Sequence, residues 1–307
     1  IQRHAPMLRV AVPYGVITSA QLRALAGVAR DFDHRDAGEP TERGGWGHFT
    51  TRHNLQFNWI PLVRAADAMD RLADAGLHGI QTSGNCIRNI TTDALAGIAA
   101  DEIADPRPYC ELLRRWSTLH PEFAFLPRKF KIAVSGARED RAAIAWHDIG
   151  LQLQRDDSGA VGFRVLVGGG MGRTPMVAVE IAAFVPWARI LIFVEAIVRV
   201  YNLLGRRDHA FKSRIKILVK AEGERFAAAV HEEYARLLAD GAPELPAGEL
   251  ERLKTAFAPP PGVVSAAHAA PPASAEAAGL HPAAAADPAL AASLRDDQPP
   301  ANLRWQE

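Results

Sequence analysis

The apolar pattern changes three times between strand-like and helix-like spacing within the first 76 residues, and this most limits the folds open to the chain. Leu8–Val12 and His48–Trp59 are typical of strands, and the second of them alternates with a period of two residues. Thr18–Phe32 and Pro61–Gly76 have apolar residues at helical spacing instead. This strand, helix, strand, helix order predicts a small α+β unit whose helices cover one face of a sheet.

The same spacing predicts how each element begins and which face it buries. Thr18 and Gln21 form a capping box that opens the first helix. The second strand is predicted to bury Phe49, Leu55, Phe57 and Trp59, and to have a polar face of Thr50, Arg52, Asn54, Gln56 and Asn58. The second helix is predicted to bury Leu62, Ala65, Ala66, Met69, Leu72 and Ala73.

A second α+β region follows residue 76. Short strands are predicted at Lys131–Val134 and Phe163–Val167, and helices near Pro186–Leu204 and Glu222–Leu238. Residues 258–293 then contain 16 Ala and 7 Pro, a composition typical of a disordered linker. The predicted organisation is therefore one unit at 1–76, a second at 77–256 and a disordered linker at 257–307.

Charge and cysteine content exclude several classes of protein. The 307 residues contain 35 basic and 35 acidic side chains, so no broad basic surface for nucleic acid or a membrane is expected. Two cysteines, Cys86 and Cys110, cannot form a disulfide framework or a four-cysteine metal site, and they favour a reducing, cytoplasmic setting. No apolar run approaches a membrane span, and no metal ligands are predicted.

Polar residues with the chemistry of an anion site are spread over several short segments. Arg52, Asn54 and Gln56 share a strand face that is otherwise explained as solvated surface. Asn85, Arg88 and Asn89 lie in a small-residue loop that an amide-capped turn would also explain. Prolines restrict the backbone on both sides of Arg107, although a helix-end ion pair with Asp105 is equally plausible.

Three further segments add cations and a glycine turn. Gly168, Gly169 and Gly170 follow a strand and miss the dinucleotide fingerprint by one position, so a nucleotide-binding enzyme is a weak alternative. Lys212, Arg214 and Lys216 alternate with other residues, which predicts a strand with three cations on one side. The remaining candidates are Arg128, Lys129 and Lys131, which lead into a predicted strand, and Arg173 after the glycines.

Taken in order, these segments resemble the siroheme-dependent nitrite and sulfite reductase family. The resemblance rests on residues 2–15, 48–58, 85–89, 105–109, 126–131, 167–175 and 212–216. It implies a ferredoxin-like half domain, then a siroheme-binding domain with a mixed α/β sheet. In the family, a linker and a pseudo-symmetric second half follow.

The resemblance also implies roles for individual residues. Substrate-anion and catalytic roles fall on Arg52, Arg107, Lys212, Arg214 and Lys216, and whether Lys212 or Arg214 takes the family's first lysine position stays open. Siroheme is rich in carboxylates, which cations and amides can bind. Siroheme contacts are implied for Asn54, Gln56, Asn85, Arg88, Asn89, Arg128, Lys129, Lys131, Gly168, Gly169, Gly170 and Arg173.

The implied activity is the six-electron, assimilatory reduction of sulfite to sulfide or of nitrite to ammonia at siroheme. A flavoprotein subunit or a ferredoxin would supply electrons through a 4Fe-4S cluster, whose cysteine ligands lie in the family's second half. Only two cysteines occur in this sequence, so we expect the chain to be the first half of such a reductase. The alternative is a non-catalytic module that binds an anion or a tetrapyrrole.

Overall fold

The computed structural model describes residues 6–33 and 45–258, which belong to one compact unit. Helices and two sheets form its layers, so the predicted α+β class is confirmed. All but the first two residues of the predicted linker, 257–307, lie outside the described residues. No helix within the described ranges is both long and apolar enough to cross a membrane.

The first layer is a three-stranded antiparallel sheet with the order β1-β3-β2. It comprises β1 (Leu8–Ala11), β2 (His48–Phe49) and β3 (Asn54–Phe57), and two helices follow β1 and β3, α1 (Ser19–Phe32) and α2 (Ala65–Asp74). The predicted capping box of α1 is present, because Thr18 Oγ1 accepts the Gln21 N–H at 3.1 Å and Gln21 Oε1 accepts the Thr18 N–H at 3.0 Å. The core of this layer includes Val10, Leu25, Val28, Phe57 and Leu72.

The prediction of one continuous strand over residues 48–59 was wrong. A turn at Thr50–His53 separates β2 from β3, because Thr50 Oγ1 accepts the N–H groups of Arg52 and Asn54 at 3.2 and 3.3 Å. His53 adopts a φ of 51°, which no strand allows. As a result, Phe49 is exposed rather than in the core, Asn54 is buried, and Arg52 projects from a turn.

The predicted apolar face of the second helix was also partly wrong. Residues Leu62–Arg64 form a 3-10 turn ahead of α2, which leaves Leu62 exposed. Within α2 the fully buried positions are Ala68 and Leu72, whereas Met69 is half exposed. The 3-10 turn takes Leu62 out of the register of α2, and within α2 the buried face passes through Ala68 and Leu72 and leaves Met69 and Ala73 exposed.

The second layer is a four-stranded mixed sheet with the order β4-β5-β6-β7. Strands β4 and β5 are parallel, and the other pairs are antiparallel. Five helices, α3 to α7, complete the fold, and α4 is largely buried beneath the sheet in the main core. The elements are β4 (Ile132–Ser135), β5 (Ile149–Arg155), β6 (Val161–Val167), β7 (Val179–Pro186), α3 (Arg107–Ser117), α4 (Ile190–Leu204), α5 (Ile215–Glu222), α6 (Glu224–Ala239) and α7 (Ala247–Phe257).

The predicted strand at Lys212–Lys216 was wrong. Residues Ala210–Lys212 form a 3-10 turn, and α5 begins at Ile215. Ile215 and Val219 are four residues apart and both are buried, so their packing selects helical geometry over the alternation. Lys212, Arg214 and Lys216 consequently do not form one face of a strand, and Arg214 lies extended at the helix N-cap.

Candidate anion-binding site

A cleft of about 180 Å³ lies where the first sheet meets the segment that leads into β4. Among the described residues, five cations line it and no carboxylate does. Within residues 6–33 and 45–258, none of the five has an ion-pair partner. We call these residues the cleft cations: Arg9, Arg52, Arg88, Lys129 and Lys131. The polar lining is completed by Thr50, Asn54, Gln56 and Thr82.

Arg52 is held from behind by main-chain and hydroxyl oxygens. Its guanidinium donates to the Asn89 carbonyl at 2.6 Å and to Thr91 Oγ1. Burial lowers the pKa of Arg52 to about 10, and the nearby charge of Arg88 adds to that shift. Buried Asn89 fixes the same turn, because its Nδ2 donates to the His53 carbonyl at 2.8 Å.

Two more arginines converge on one carbonyl at the edge of the cleft. Arg9 and Arg88 each donate through Nη1 to the Thr82 carbonyl at 2.8 Å. Arg9 also donates from Nη2 to Gln56 Oε1 at 2.7 Å, across the β1–β3 register that pairs the two residues. These contacts fix both guanidinium groups without neutralising them, so their charge remains available to an added anion.

The two lysines enter the cleft from the chain just before β4. Burial lowers the pKa of Lys129 and takes that of Lys131 to about 8, and neighbouring arginines add to both shifts. For Lys131 those neighbours are Arg52 and Arg214. A bound anion would relieve this repulsion and favour the charged lysines.

Behind the cleft, one buried carboxylate connects three segments. Asp148 is fully buried, and its Oδ1 accepts from Arg214 Nη2 at 2.7 Å. Its Oδ2 accepts the Lys131 N–H at 2.8 Å, and its carbonyl accepts the Gly168 N–H at 3.0 Å. Burial raises the pKa of Asp148, whereas Arg214 and the Lys131 N–H oppose that rise. Asp148 therefore fixes the base of the cleft, the glycine turn and the start of α5 together.

The glycine turn depends on conformations that other residues rarely adopt. Gly168 has a φ of 87°, and a Cβ there would lie 2.9 Å from the Val219 side chain. A Cβ on Gly170 would lie 3.1 Å from Lys216 Cδ and 3.3 Å from Arg214 Nη2. The turn can therefore pack directly against these two cations only because it has no side chains.

Metal ligands are not clustered in the described residues. No group of three or more His, Cys, Asp or Glu side chains there could hold a metal ion. Cys86 and Cys110 are both free, and Cys110 is buried in the main core.

Comparison with known proteins shows which family the chain belongs to. The family model described as the nitrite/sulfite reductase ferredoxin-like half domain matches residues 1–75, and that of the nitrite and sulphite reductase 4Fe-4S domain matches residues 83–237. The chain belongs to the nitrite and sulphite reductase family. The fold class predicted from the sequence, which begins with a ferredoxin-like half domain, is thereby confirmed.

Individual members of the family are similar over most of this chain. The ferredoxin–nitrite reductase of Leptolyngbya laminosa is 35% identical over 78% of this chain and 46% of its own length. Sulfite reductase [ferredoxin] 1 of Mycolicibacterium paratuberculosis is 32% identical over 76% of this chain and 40% of its own length. The solved NirA protein of Mycobacterium tuberculosis has a TM-score of 0.67 at 30% identity, covering 75% of this chain and 40% of that one. The chain thus spans less than half the length of these relatives.

The structure brings together most, but not all, of the residues that the family resemblance singled out. Six line the cleft: Arg52, Asn54, Gln56, Arg88, Lys129 and Lys131. Behind them lie Asn89, Gly168, Gly169, Gly170, Arg214 and Lys216. Arg128 is partly buried, and its charge lowers the pKa values of Arg88 and Lys129. Asn85, Arg173 and Lys212 are exposed, and none of them lines the cleft.

Arg107 lies apart from this group. Its Nη2 donates to Asp105 Oδ2 at 2.7 Å and to the Phe257 carbonyl at 3.1 Å, and it lines a separate cavity of about 330 Å³. The helix-end ion pair, which was the alternative explanation of this arginine, is therefore present.

Sequence reasoning missed three residues at the site. Arg9 was detectable, because it lies in the predicted first strand, and pairing that strand with the next one places Arg9 beside Gln56. Thr82 contributes to the cleft through its carbonyl, which no side-chain pattern reveals. Asp148 is a single acidic residue before a strand, and nothing in the local pattern distinguishes it from a solvated one.

Proposed function

We propose that this chain binds siroheme and belongs to an assimilatory reductase that converts sulfite to sulfide or nitrite to ammonia. The observation behind the proposal is the cleft, in which five cations converge with no carboxylate from residues 6–33 or 45–258 beside them. Like charges held this close repel one another unless an anion lies between them. The relatives named as nitrite and sulfite reductases support the choice of a small oxyanion as substrate.

The residues present fit the periphery of siroheme. The cleft cations offer guanidinium and ammonium donors, which bind carboxylates strongly. The three adjacent glycines have no side chains, which would allow close approach of a flat ligand. At about 180 Å³, the cleft is smaller than the roughly 300–1,000 Å³ of a typical ligand pocket. It would therefore take an oxyanion or a few of the carboxylates of siroheme, and not the whole group.

The chain's own residues can perform two tasks in the reduction. Arg52 and Arg88 are held by carbonyl oxygens and can bind and orient the oxyanion with little reorganisation. Lys131, with its pKa at about 8, is protonated at neutral pH and can supply a proton to an oxygen of the substrate. Siroheme, when bound, would supply the iron at which the substrate is reduced.

Electrons must reach the site from outside the described residues. Two cysteines in the whole sequence are too few for the four thiolates of a 4Fe-4S cluster. We propose that a second half of the protein holds that cluster and that a ferredoxin, as in the names of the relatives, or a flavoprotein is the donor. Boundaries at residues 76 and 256 and a cytoplasmic setting are part of the same proposal.

The shortage of cluster ligands also favours a second candidate. The chain would then be a non-catalytic module that binds a tetrapyrrole or a small anion through the same cleft. Both candidates require anion binding, but only the first requires electron transfer to the bound substrate.

Expression of the chain with a siroheme-synthesising enzyme, followed by visible spectroscopy, tests the shared part of the proposal. We expect a Soret band that copurifies with the chain and weakens in a Lys129→Met/Lys131→Met double variant. Lys220→Met is the matched control, because Lys220 is exposed and does not line the cleft. Absence of a Soret band both here and in a chain extended through a cysteine-bearing second half would reject siroheme binding.

Activity separates the two candidates. The extended chain, supplied with a strong one-electron dye reductant, should consume sulfite or nitrite and yield sulfide or ammonia. A siroheme-loaded extended chain that binds substrate and reduces neither anion would support the non-catalytic module.

A further inference from the structure

A short lip projects from the glycine turn and is closed by a pair of main-chain hydrogen bonds. The lip comprises residues 170–176, and its ends pair because Gly170 and Met176 each donate an N–H to the other's carbonyl at 2.9 Å. The five residues between them, 171–175, are all exposed and include Arg173. Without further support, such a loop would open easily.

Lys216 provides that support from the interior. Its side chain is 6% exposed, and Nζ donates to the Met171 carbonyl at 3.0 Å and to the Thr174 carbonyl at 2.5 Å. No carboxylate within the described ranges pairs with it. Burial of an ammonium without a counter-ion is unfavourable, so its hydrogen bonds to the lip are what stabilise it there. Two of its three donors are therefore committed to the lip rather than to a substrate.

The base of the lip is joined to the charges behind the cleft. The Asp148 carbonyl accepts the Gly168 N–H, and the side chain of Asp148 pairs with Arg214. Lys216 follows Arg214 by two residues, at the start of α5, where the burial of Ile215 and Val219 fixes the helix. The position of the lip is thus coupled through α5 to the site.

Large exposed apolar side chains occur in the lip and in the stretches next to it. Trp146, Met171 and Val177 are each 52% to 66% exposed. The Ala178 N–H donates to the Ala145 carbonyl at 2.8 Å, which places the stretches containing Val177 and Trp146 side by side. An apolar surface next to an exposed arginine matches a ligand with flat apolar faces and an anionic rim.

We propose that Lys216 is a positioning residue that latches the lip, and that the latched lip with its apolar neighbours seats one edge of an anionic macrocycle. The identity of that ligand as siroheme rests on the proposed function. The latch itself does not, because it is a property of the unliganded chain. Lys216 would act through the lip and not by direct contact with sulfite or nitrite.

Limited trypsin digestion of the unliganded chain tests the latch. The scissile bond is Arg173–Thr174, in the middle of the lip, and mass spectrometry follows its cleavage. Lys216→Met should raise the cleavage rate about tenfold or more, because the lip then opens without breaking two charge-assisted hydrogen bonds. Lys216→Arg should restore much of the protection, and Lys220→Met on the same helix should match the parent chain.

Siroheme titration of the same proteins, followed by visible absorption, tests the seat. Lys216→Met should weaken siroheme affinity about tenfold, because the lip would then spend less time in the conformation that binds the ligand. Lys216→Arg should weaken the affinity by much less. Circular dichroism and urea unfolding should show that Lys216→Met keeps the fold. If it does not, Lys216→Gln serves as the second variant.

Each outcome decides a part of the proposal. Unchanged cleavage at Arg173–Thr174 in a folded Lys216→Met chain would overturn the latch. Faster cleavage with unchanged siroheme affinity would overturn the seat. If neither the parent chain nor the chain extended through a second half binds siroheme, the seat and the proposed function both fail, and the digestion result still decides the latch.

Discussion

The cleft cations and Arg214 are close neighbours, yet their partners differ. Arg52 and Arg88 donate to carbonyl or hydroxyl oxygens, and Lys131 has no carboxylate partner within the described ranges. Arg214 is paired with the buried carboxylate of Asp148. A paired buried cation stabilises the fold through its partner, whereas unpaired cations repel one another and are available to an added anion. The two groups should therefore differ in what is lost when each is removed.

The largest expected effect is the loss of stability when the Asp148–Arg214 pair is broken. Asp148→Ala leaves Arg214 buried without a carboxylate and the Lys131 N–H without an acceptor. Breaking a buried pair in this way costs about 3–5 kcal/mol of unfolding free energy, which urea unfolding would measure. Asp148→Asn should lose less, because an amide oxygen can still accept the Lys131 N–H. A loss below about 1 kcal/mol for Asp148→Ala would show that the pair contributes little to stability.

Removal of an unpaired cleft cation should lower siroheme affinity and leave stability nearly unchanged. Lys131→Met removes one of the converging charges, so we expect siroheme affinity to fall about tenfold, which is equivalent to about 1.4 kcal/mol. The unfolding free energy should stay within about 0.5 kcal/mol of the parent or rise, since a repulsion is removed. Visible titration and urea unfolding give the two values, with Lys220→Met as the control. Equal losses of affinity and stability would remove the distinction between the two groups.

The pH dependence sharpens the same contrast. Because the pKa of Lys131 is about 8, siroheme affinity should fall several-fold as pH rises through 8, and Lys131→Met should flatten that fall. Stability should change in the other direction. The folded pKa of Lys131 lies below its unfolded value, so between pH 8 and about 10.5 the unfolded chain binds more protons and the unfolding free energy rises with pH. A fall in stability over that interval that disappears in Lys131→Met would contradict this assignment.

Much of the fold follows from the sequence because its elements obey local rules. The capping box at Thr18 needs only residues three apart, and β6 is a run of apolar residues bounded by turns. The strand prediction for Lys212–Lys216 failed for a physical reason. The alternation of its residues fits a strand, but the spacing of Ile215 and Val219 fits a helix, and only packing against the core selects between the two. The predicted strand at residues 48–59 ends at Thr50, because the Thr50 hydroxyl accepts a backbone N–H from the turn that follows. The spacing of apolar residues does not predict such a hydrogen bond.

The candidate site was harder to predict than the fold. Motif order singled out the segments that contain Arg52, Arg88 and Lys131, because each lies in a short stretch of unusual composition, and all three residues line the cleft. It could not assign them to one cleft, since the sequence does not show which loops meet. Asp148 depends entirely on tertiary contacts and has no local signal.

Arg107 gives the smallest expected effect. Its pair with Asp105 is only partly buried, so Arg107→Ala should lower the unfolding free energy by about 0.2–1 kcal/mol. Siroheme affinity should not change, because Arg107 lines the separate cavity and not the cleft. The matched comparison is Arg88→Ala, which removes a cleft cation and should weaken siroheme binding without a larger loss of stability. If Arg107→Ala weakened siroheme binding as much as Arg88→Ala, a paired arginine outside the cleft would contribute to the anion site, and pairing would not separate structural from ligand-binding cations.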